Sequence, residues 1–177
     1  SRVPPDPKQG EREYFARIGP DGILHSTRKP FSDENCPLNL ANMAALFHLL
    51  DPPPGRLIEF GCGVGWLTLF LAQAGYEVTG VDISAEAIAA ARDQARLRGL
   101  PQARFVVGDY ETFPPDGTQD FALFYNSLHH AEDELAALRC AHAALRPDGL
   151  LIAFEPREGH SRTPASRDAV DRFGVHE

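Results

Sequence analysis

The spacing of apolar positions along the chain changes at the proline-rich segment 51–55. Upstream of it, residues 37–50 have apolar side chains at helical spacing, which predicts an amphipathic helix that buries Leu40, Met43, Phe47 and Leu50. Downstream of it, five short apolar runs alternate with segments of helical periodicity, and the runs read RLIEF, YEVTGVD, ARFVV, DFALFY and GLLIAF. Five apolar strands that alternate with helices predict an α/β fold with a Rossmann-like, doubly wound, mainly parallel sheet.

Cap and turn residues place the ends of several elements. Ser84 can cap a helix over 85–98, and Gly99 followed by Pro101 can end that helix. In the N-terminal part, EYFARI is expected to form a short helix or turn, and PDG at 20–22 predicts a turn. The helix after the fourth strand is expected to bury Leu135, Leu138, His142 and Leu145.

These patterns divide the chain of 177 residues into three parts. Residues 1–50 form an N-terminal cap segment with an amphipathic helix, and residues 51–156 form the α/β core. Residues 157–177 form a polar tail that is expected to contain one short helix. The chain is long enough for one domain with a substantial core.

Composition and charge argue against several classes of partner, although they do not exclude a nucleic-acid substrate. The formal net charge is −8, which argues against nucleic acid or an anionic membrane surface, because cations dominate binding to both. No apolar run reaches the length of a membrane span and no signal peptide is recognisable, so a cytoplasmic protein without a membrane partner is expected. Cys36, Cys62 and Cys140 lack metal-ligand spacing and are expected to be reduced thiols, so no metal site is predicted.

Acidic residues and glycines follow the predicted strands, at the edge of a parallel sheet where ligands bind. Glu59, Asp82 and Asp109 stand at the ends of the first three strands, and GCGVG at 61–65 follows the first. The carboxylates argue against a phosphate ligand, and the lack of Lys-Ser or Lys-Thr after the glycines excludes a Walker loop. Trp66 is bulky where a dinucleotide-binding turn has a small residue. Asp82 alone, however, suits the ribose of NAD as well as that of another nucleoside.

Five blocks of the sequence, in order, resemble class I S-adenosylmethionine-dependent methyltransferases of the small-molecule type. They are EFGCGVG at 59–65, VTGVDIS at 78–84, GDYETFP at 108–114, NSLHH at 126–130 and LRPDGLLIAFEP at 145–156. One such block is weak evidence, whereas five at the right spacing are strong. The resemblance implies S-adenosyl-L-methionine as the cofactor, and a small-molecule or glycan-type acceptor that is methylated on oxygen or nitrogen.

The resemblance also implies which residues hold the methionine part of the cofactor. In the turn after the first strand, Gly61, Cys62, Gly63 and Gly65 would let the backbone approach the methionine and the ribose, with Cys62 present for its small size. Glu59 would orient this turn and reach the methionine amino group through water.

Further residues are implied for the nucleoside part. Asp82 would accept hydrogen bonds from the ribose hydroxyls, and Ile83 would pack on the adenine. Asp109 would accept from the adenine amino group, and Tyr110 would flank the ring.

The turn after the fourth strand contains the candidates for catalysis. Asn126 and Leu128 would lie beside the methionine chain and the sulfur. His129 and His130 follow and are the best candidates for a base, the alternative being that they only shape the pocket. Adjacent residues diverge in direction, so the two histidines form a poor metal pair. Glu155, after the fifth strand, could bind an acceptor or act as a base, but a solvated loop carboxylate is the favoured interpretation.

Two other functions stay open at this point. One is a nicotinamide-dependent oxidoreductase, against which Trp66 and Asp109 argue. The other is a non-catalytic module that binds S-adenosylmethionine. Methylation of adenine in nucleic acid is disfavoured, because Asn-Ser-Leu at 126–128 lacks the Asn/Asp-Pro-Pro-aromatic motif.

The C-terminal part departs from the family pattern. Similar enzymes continue after the fifth strand with a helix and two more strands, and residues 157–177 are too few for these elements. The sequence therefore predicts a sheet that is truncated after the fifth strand. An uncovered edge of this kind would allow pairing with a second copy as a homodimer.

Overall fold

The computed structural model describes residues 6–114 and 116–175, with a five-stranded parallel sheet at the centre. The strands are β1 (Arg56–Phe60), β2 (Glu77–Asp82), β3 (Ala103–Val107), β4 (Gln119–Tyr125) and β5 (Leu145–Phe154). Their order across the sheet is β3-β2-β1-β4-β5, and every pairing is parallel. The predicted Rossmann-like α/β class is confirmed. The order reverses between β1 and β4, and such a reversal opens a crevice at the carboxyl ends of the strands.

Six helices belong to the described part of the chain. They are α1 (Gln9–Thr27), α2 (Cys36–Leu49), α3 (Trp66–Gln73), α4 (Ala85–Arg98), α5 (Glu134–Ala144) and α6 (Pro164–Phe173). Short turns of 3-10 helix follow β4 at Leu128–His130 and β5 at His160–Arg162. None of the helices in the described ranges is long and apolar enough to cross a membrane.

Apolar layers on both faces hold the sheet. On one face, α2, α3 and α4 contribute Leu46, Leu67 and Ile88, each with no exposed surface. Burial of an aliphatic side chain of this size stabilises the fold by about 1.5–3 kcal/mol. On the other face, Phe60 and Phe124 stack with ring centroids 5.4 Å apart and belong to a cluster that includes alanines of α5. The crevice between β1 and β4 is therefore built on a rigid base.

The ends of α4 agree with the sequence prediction. The Ser84 side chain accepts a hydrogen bond from the Ala87 N–H at 3.3 Å, and Gly99 ends the helix with a φ of 64°. A left-handed C-cap of this kind favours glycine because it has no Cβ. Local cap chemistry was sufficient to place this helix.

The predicted turn at 20–22 is displaced by one residue, because the chain breaks its helical course at Gly19 and residues 20–22 are themselves helical. The helix covers Gln9–Thr27 and kinks at Gly19, which has a φ of 69° and a ψ of −173°. Pro20 then begins the second half, and a proline is tolerated in the first turn of a helix because its missing N–H would have no partner there. The proline therefore restarts a helix.

Two predicted helix faces are confirmed only in part. Met43 and Leu50 are buried and Phe47 packs against the core, and Leu138 and Leu145 pack against the cluster on the other face of the sheet. Leu40 in α2 is 41% exposed, and the buried residues of this helix are Asn39, Met43 and Leu46. In α5, Leu135 is 55% exposed, His142 is exposed and Leu145 already begins β5. The buried side of α5 consists instead of Ala137, Ala141 and Ala144. Small side chains at this spacing allow a helix to approach large aromatic side chains on a sheet, so in α5 the most deeply buried residues are alanines and not the leucines.

Candidate functional site

A large cavity lies at the carboxyl ends of the strands. Its volume is about 940 Å³, near the upper end of the range of about 300–1,000 Å³ that is usual for ligand pockets. Residues that follow all five strands line it, and α1 and α2 supply further walls. Most of the predicted site residues line this cavity, namely Gly61, Cys62, Gly63, Asp82, Ile83, Asp109, Tyr110, Asn126, His129 and His130. Glu59, Gly65 and Leu128 do not.

Hydrogen bonds to β2 fix the turn after β1. The Gly61 N–H donates to the Val81 carbonyl at 2.8 Å, and the Gly63 N–H donates to Asp82 Oδ2 at 2.7 Å. Gly61 and Gly63 have φ values of 73° and 53°, a region in which glycine is favoured. A Cβ on Gly61 would lie 2.4 Å from the Cβ of Ser127, so the turn packs directly against the loop after β4. Backbone atoms of Gly61 and Gly63 therefore line this part of the cavity, where a ligand could contact them directly.

Gly65 and Cys62 are explained by packing. Gly65 has a φ of 75°, and a Cβ there would lie 2.4 Å from the Phe105 ring, so close contact between α3 and β3 accounts for this glycine. Gly65 was expected to let the backbone approach the cofactor, but it does not line the cavity. Cys62 is 4% exposed, and a Cβ on Gly80 would lie 2.8 Å from its sulfur. Burial raises the pKa of the Cys62 thiol, which keeps it neutral.

Asp82 connects the glycine turn to the start of α4. Its Oδ2 accepts from Gly63 and its Oδ1 accepts from the Ser84 N–H at 2.9 Å. Burial raises the pKa of Asp82 to about 6, although these two hydrogen bonds oppose the rise. Glu11 of α1 raises this pKa further, and His130 lowers it. The carboxylate is ionised at pH 7 and retains lone pairs that can accept from a ligand hydroxyl.

Glu59, near the end of β1, is joined to α3. Its side chain is 3% exposed and forms a hydrogen bond with the Thr68 hydroxyl. Burial raises the pKa of Glu59 to about 8, the Thr68 hydroxyl opposes the rise, and the charge of Asp82 adds to it. The carboxyl group is therefore mainly protonated at pH 7. Glu59 does not line the cavity, and its predicted contact with the methionine amino group through water stays a prediction.

The loop after β3 is joined to the start of α1 by an ion pair that the sequence did not indicate. Lys8 Nζ lies 2.7 Å from Asp109 Oδ2 and 2.7 Å from Glu111 Oε1. Burial lowers the pKa of Lys8, but the two carboxylates outweigh this effect and raise it, so the lysine stays charged. Tyr110 donates to the Ser127 carbonyl at 2.9 Å, which fixes its ring beside Asp82 and Asp109. Lys8 is 101 residues from Asp109, so no local spacing could have shown the contact.

The turn after β4 brings His129 to Glu155. His129 Nδ1 lies 2.6 Å from Glu155 Oε2, and Glu155 Oε1 accepts from the N–H groups of Ser127 and Leu128 at 3.1 and 3.0 Å. Burial favours a higher pKa for Glu155, but the hydrogen bonds from His129 and the two N–H groups lower it overall. Glu155 is thus an ionised, fixed carboxylate, and the expectation of a solvated loop residue is wrong. Leu128 takes part through its backbone, while its side chain packs in the core.

Two further features mark this turn. Asn126 has a φ of 50°, a left-handed conformation that asparagine tolerates better than most residues. His130 stacks beside His129 with ring centroids 4.1 Å apart, and its Nδ1 lies 3.6 Å from Glu11 Oε1. His130 thus connects the turn to α1, whereas His129 is held by β5. Among the described residues, no group of three or more His, Cys, Asp or Glu side chains could hold a metal ion.

The sequence of the core can be compared with known protein families. Residues 58–153 match a family model described as a methyltransferase domain, and this match covers more than half of the chain. The chain belongs to the class I S-adenosylmethionine-dependent methyltransferase family. Membership of this family decides between the nucleoside cofactors that the sequence left open.

The relatives of this methyltransferase-family protein differ in their named activities. It is 37% identical over 133 residues to the S-adenosyl-L-methionine-dependent Diels-Alderase iccD of Talaromyces variabilis. The aligned region covers 70% of this chain and 46% of that protein. It is 29% identical over 168 residues to the ubiquinone biosynthesis O-methyltransferase of Xanthomonas axonopodis pv. citri. This aligned region covers 89% of this chain and 64% of that protein. Other relatives are named as ribosomal RNA methyltransferases.

Solved structures agree with this assignment. The structure of the cyclase SpnF matches with a TM-score of 0.70 and 27% sequence identity, over 88% of this chain and 62% of that chain. This methyltransferase-family chain spans less than two thirds of the length of iccD, of the ubiquinone biosynthesis O-methyltransferase and of SpnF.

The residues of the cavity fit the cofactor of the family. S-adenosylmethionine combines a sulfonium and an ammonium group with a nucleoside, and it has no phosphate. The Asp82 carboxylate beside the glycine turn would repel a phosphate but attracts cations and accepts from hydroxyl groups. Gly61 and Gly63 line the cavity without side chains, so a ligand there can approach the backbone closely.

Proposed function

We propose that this protein transfers a methyl group from S-adenosylmethionine to an oxygen or nitrogen atom of a small-molecule or glycan-type acceptor. The observation that carries the proposal is the 2.6 Å contact between His129 and Glu155, in the same cavity as the glycine turn and Asp82. Methylation of a hydroxyl or ammonium group requires removal of a proton, and this pair can hold that proton.

The residues around the glycine turn would bind and orient the cofactor. Bound S-adenosylmethionine supplies an electrophilic methyl group. Gly61 and Gly63 offer backbone to its methionine part, Asp82 accepts from its ribose, and Tyr110 flanks its adenine. Alignment supplies much of the rate of a displacement reaction, so the hydrogen bonds that fix this turn contribute to turnover as well as to binding.

His129 would act as the base. Because the ionised Glu155 carboxylate can only accept hydrogen bonds, the short contact places a proton on Nδ1 and leaves Nε2 of the neutral ring free to accept another. Nε2 then takes the proton of the acceptor group, and Glu155 stabilises the imidazolium ion that forms. Glu155 is a positioning residue in this scheme, since it acts through His129.

Charge supports a small acceptor in preference to nucleic acid. The chain has a formal net charge of −8, and Asp82, Asp109, Glu111 and Glu155 all line the cavity, where Lys8 balances only one of the charges of Asp109 and Glu111. A nucleic-acid phosphate would be repelled by these carboxylates, and nucleic-acid affinity depends mainly on cations.

A second candidate function is a cyclisation in which bound S-adenosylmethionine is not consumed. Two of the similar proteins, iccD and SpnF, are named as a Diels-Alderase and a cyclase. A shared fold does not decide between these reactions, because both could use the same cavity. Methyl transfer is favoured here because a cyclisation does not require the base that His129 and Glu155 form.

The test uses S-adenosylmethionine with a trideuterated methyl group, mixed with panels of phenols, amines and sugars, and in a separate reaction with ribosomal RNA. Mass spectrometry is expected to show the labelled methyl group on a small molecule, with one equivalent of S-adenosylhomocysteine formed. Binding of S-adenosylhomocysteine without label on any acceptor would favour the cyclase. Label confined to RNA would replace the proposed acceptor class.

Variants of the pair test the proposed base. His129→Ala is expected to lower turnover about 10²–10⁴-fold, the usual contribution of a base, and Glu155→Gln to lower it less. Both variants should keep the wild-type affinity for S-adenosylhomocysteine, measured by calorimetry. His142→Ala, at an exposed position of α5, is the control and should retain full activity. Wild-type turnover in His129→Ala would remove the base from the mechanism.

A further inference from the structure

The side of the cavity next to α2 has an aromatic wall that the proposed proton transfer does not use. Trp66 contacts Tyr125 edge-on with ring centroids 5.6 Å apart, and Tyr125 lies beside Phe154 with centroids 5.8 Å apart. All three rings line the cavity. We call these rings, together with Asn39 of α2, the aromatic compartment. Its flat surfaces suit a conjugated ring, because aromatic pairs prefer stacked or edge-on contacts at such distances.

The buried amide of Asn39 has an unused donor in this compartment. Asn39 is 7% exposed, lines the cavity, and accepts from the Tyr125 hydroxyl through Oδ1 at 2.8 Å. The Tyr125 hydroxyl in turn accepts from Asn42 Nδ2 at 3.3 Å. These two hydrogen bonds show which end of the Asn39 amide is the oxygen, because the Tyr125 hydroxyl must donate to it. The other end is the Nδ2 group, which is left to donate elsewhere. Within the described ranges, no group accepts from Asn39 Nδ2.

An unsatisfied donor at this depth is costly. A buried polar group without a partner destabilises a protein by about 1–3 kcal/mol. The indole N–H of Trp66 likewise donates to no group of the described chain, and it lines the same cavity. The compartment therefore offers two N–H donors and a ring surface. A ligand atom that can only accept, such as a carbonyl oxygen, satisfies such donors without leaving a hydrogen of its own unpaired.

Strand register places the compartment next to the proposed base. Tyr125 and Phe154 are partners in the pairing of β4 with β5, and each is the last residue of its strand. The next residues along the chain are Asn126 and Glu155, and Glu155 holds His129. A ring that lies against Tyr125 and Phe154 is consequently held beside the turn that contains His129.

The compartment also favours an uncharged ligand. Lys29, which lines the cavity, is paired with Asp33 at 3.1 Å, so its charge is already balanced. The Tyr125 hydroxyl is neutral, since burial raises its pKa. A buried charge without a counterion would be strongly unfavourable here.

We propose that the aromatic compartment binds the acceptor as a flat conjugated ring with a carbonyl oxygen, which accepts a hydrogen bond from Asn39 Nδ2. This inference rests on the proposed function, because it assigns the acceptor side of the same site. Asn39 is then a specificity-determining residue. The expected acceptors are aryl ketones and related conjugated carbonyl compounds that also have a hydroxyl or amino group to be methylated.

The test compares 4-hydroxyacetophenone with 4-ethylphenol, which lacks only the carbonyl oxygen, on protein saturated with S-adenosylhomocysteine. Calorimetry should show about five- to tenfold tighter binding of the ketone, the equivalent of one neutral hydrogen bond. The chain has a single tryptophan, so the indole N–H signal of Trp66 in a ¹H–¹⁵N spectrum reports directly on the compartment. This signal should shift on addition of the ketone.

Two variants, together with the affinity for S-adenosylhomocysteine, distinguish failure of this proposal from failure of the proposed function. Asn39→Leu should bind both compounds equally while it retains S-adenosylhomocysteine affinity, and His48→Leu, at an exposed position of the same helix, should keep the preference for the ketone. Equal affinity of the two compounds for the wild-type protein, no binding of either, or an unmoved Trp66 signal would overturn the proposal even if the cofactor binds. Failure of S-adenosylhomocysteine itself to bind would instead overturn the proposed function.

Discussion

At the scale of single residues, Asp82 has two roles in the free protein. It accepts hydrogen bonds from Gly63 and Ser84, which join the glycine turn to α4, and its pKa is raised to about 6 by burial. The same carboxylate is the proposed acceptor for the ribose hydroxyls, which bind its ionised form more strongly than its neutral form. Cofactor binding and ionisation of this residue are therefore linked.

This linkage gives a pH dependence with a definite sign. Because the ligand prefers ionised Asp82, affinity for S-adenosylhomocysteine should be complete above pH 6 and should fall as the pH decreases through 6, by up to about tenfold per pH unit. Asp82→Asn should weaken binding at pH 7.5 by about 1–3 kcal/mol and should show a much smaller pH dependence between pH 5 and 7.5. Calorimetry at several pH values measures both effects. The same pH slope in the two proteins would place the ribose elsewhere.

At this scale, the sequence could predict the residues that stand at strand ends. Asp82, Asp109 and His129 all line the cavity, because the ends of parallel strands converge there whatever the details of packing. The burial of Glu59 could not be predicted, because the sequence does not show that its side chain pairs with Thr68 of α3. Asn39 was not predicted, since an asparagine on a helix has no spacing signal that distinguishes a buried amide from an exposed one.

At the scale of elements, the junction of the glycine turn with α3 depends on a glycine that the cavity does not use. Gly65→Ala would place a Cβ 2.4 Å from the Phe105 ring and 3.1 Å from Ala91, at a φ of 75°. Gly99 has a similar φ of 64°, but nothing lies within 4 Å of the position of its Cβ. A comparison of alanine substitutions at the two positions therefore separates the cost of steric overlap from the cost of backbone strain.

We expect Gly99→Ala to lower the free energy of unfolding by about 1–2 kcal/mol, the strain of a left-handed residue that has a Cβ. Gly65→Ala should have this effect and, in addition, a further loss of about 1–3 kcal/mol from overpacking. Urea unfolding of both variants and the wild type measures the difference. Equal losses in the two variants would show that the contact with Phe105 relaxes without cost.

Elements were predictable where short-range signals decide them. Ser84 and Gly99 define α4 by cap chemistry alone. The faces of α2 and α5 were predictable only in part, because the depth at which a helix packs depends on the surface opposite. Ala137 and Ala141 face a layer that is already filled by Phe60 and Phe124, and the sequence of α5 does not contain that information.

At the scale of the whole molecule, the cavity depends on contacts between distant parts of the chain. Lys8 joins the start of α1 to Asp109 and Glu111, and Glu11 of the same helix approaches His130. These pairs connect segments that share no local pattern, so the wall that α1 supplies could not be predicted from the sequence. The sheet could be predicted, because its strands follow one another with a regular period.

Glu59 makes the stability of the whole protein depend on pH. Its pKa rises from an ordinary value of 4.5 to about 8 because it is buried in the folded protein. Between these values, the folded protein keeps a proton that the unfolded chain releases. The contribution of Glu59 to stability is thus fully present below pH 4.5 and is lost as the pH rises through 8, by about 1.4 kcal/mol per pH unit.

Glu59→Gln, which resembles the protonated acid in shape, should remove this dependence. Urea unfolding at pH 5, 6.5 and 8 is expected to show that the wild type loses stability more steeply than the variant as the pH rises. Glu77→Gln, at an exposed position of β2, is the matched control and should keep the wild-type slope. Parallel slopes for Glu59→Gln and the wild type would mean that Glu59 is ionised when folded. A buried carboxylate would then stand near the end of β1, two residues before Gly61, where its charge could attract the cationic cofactor.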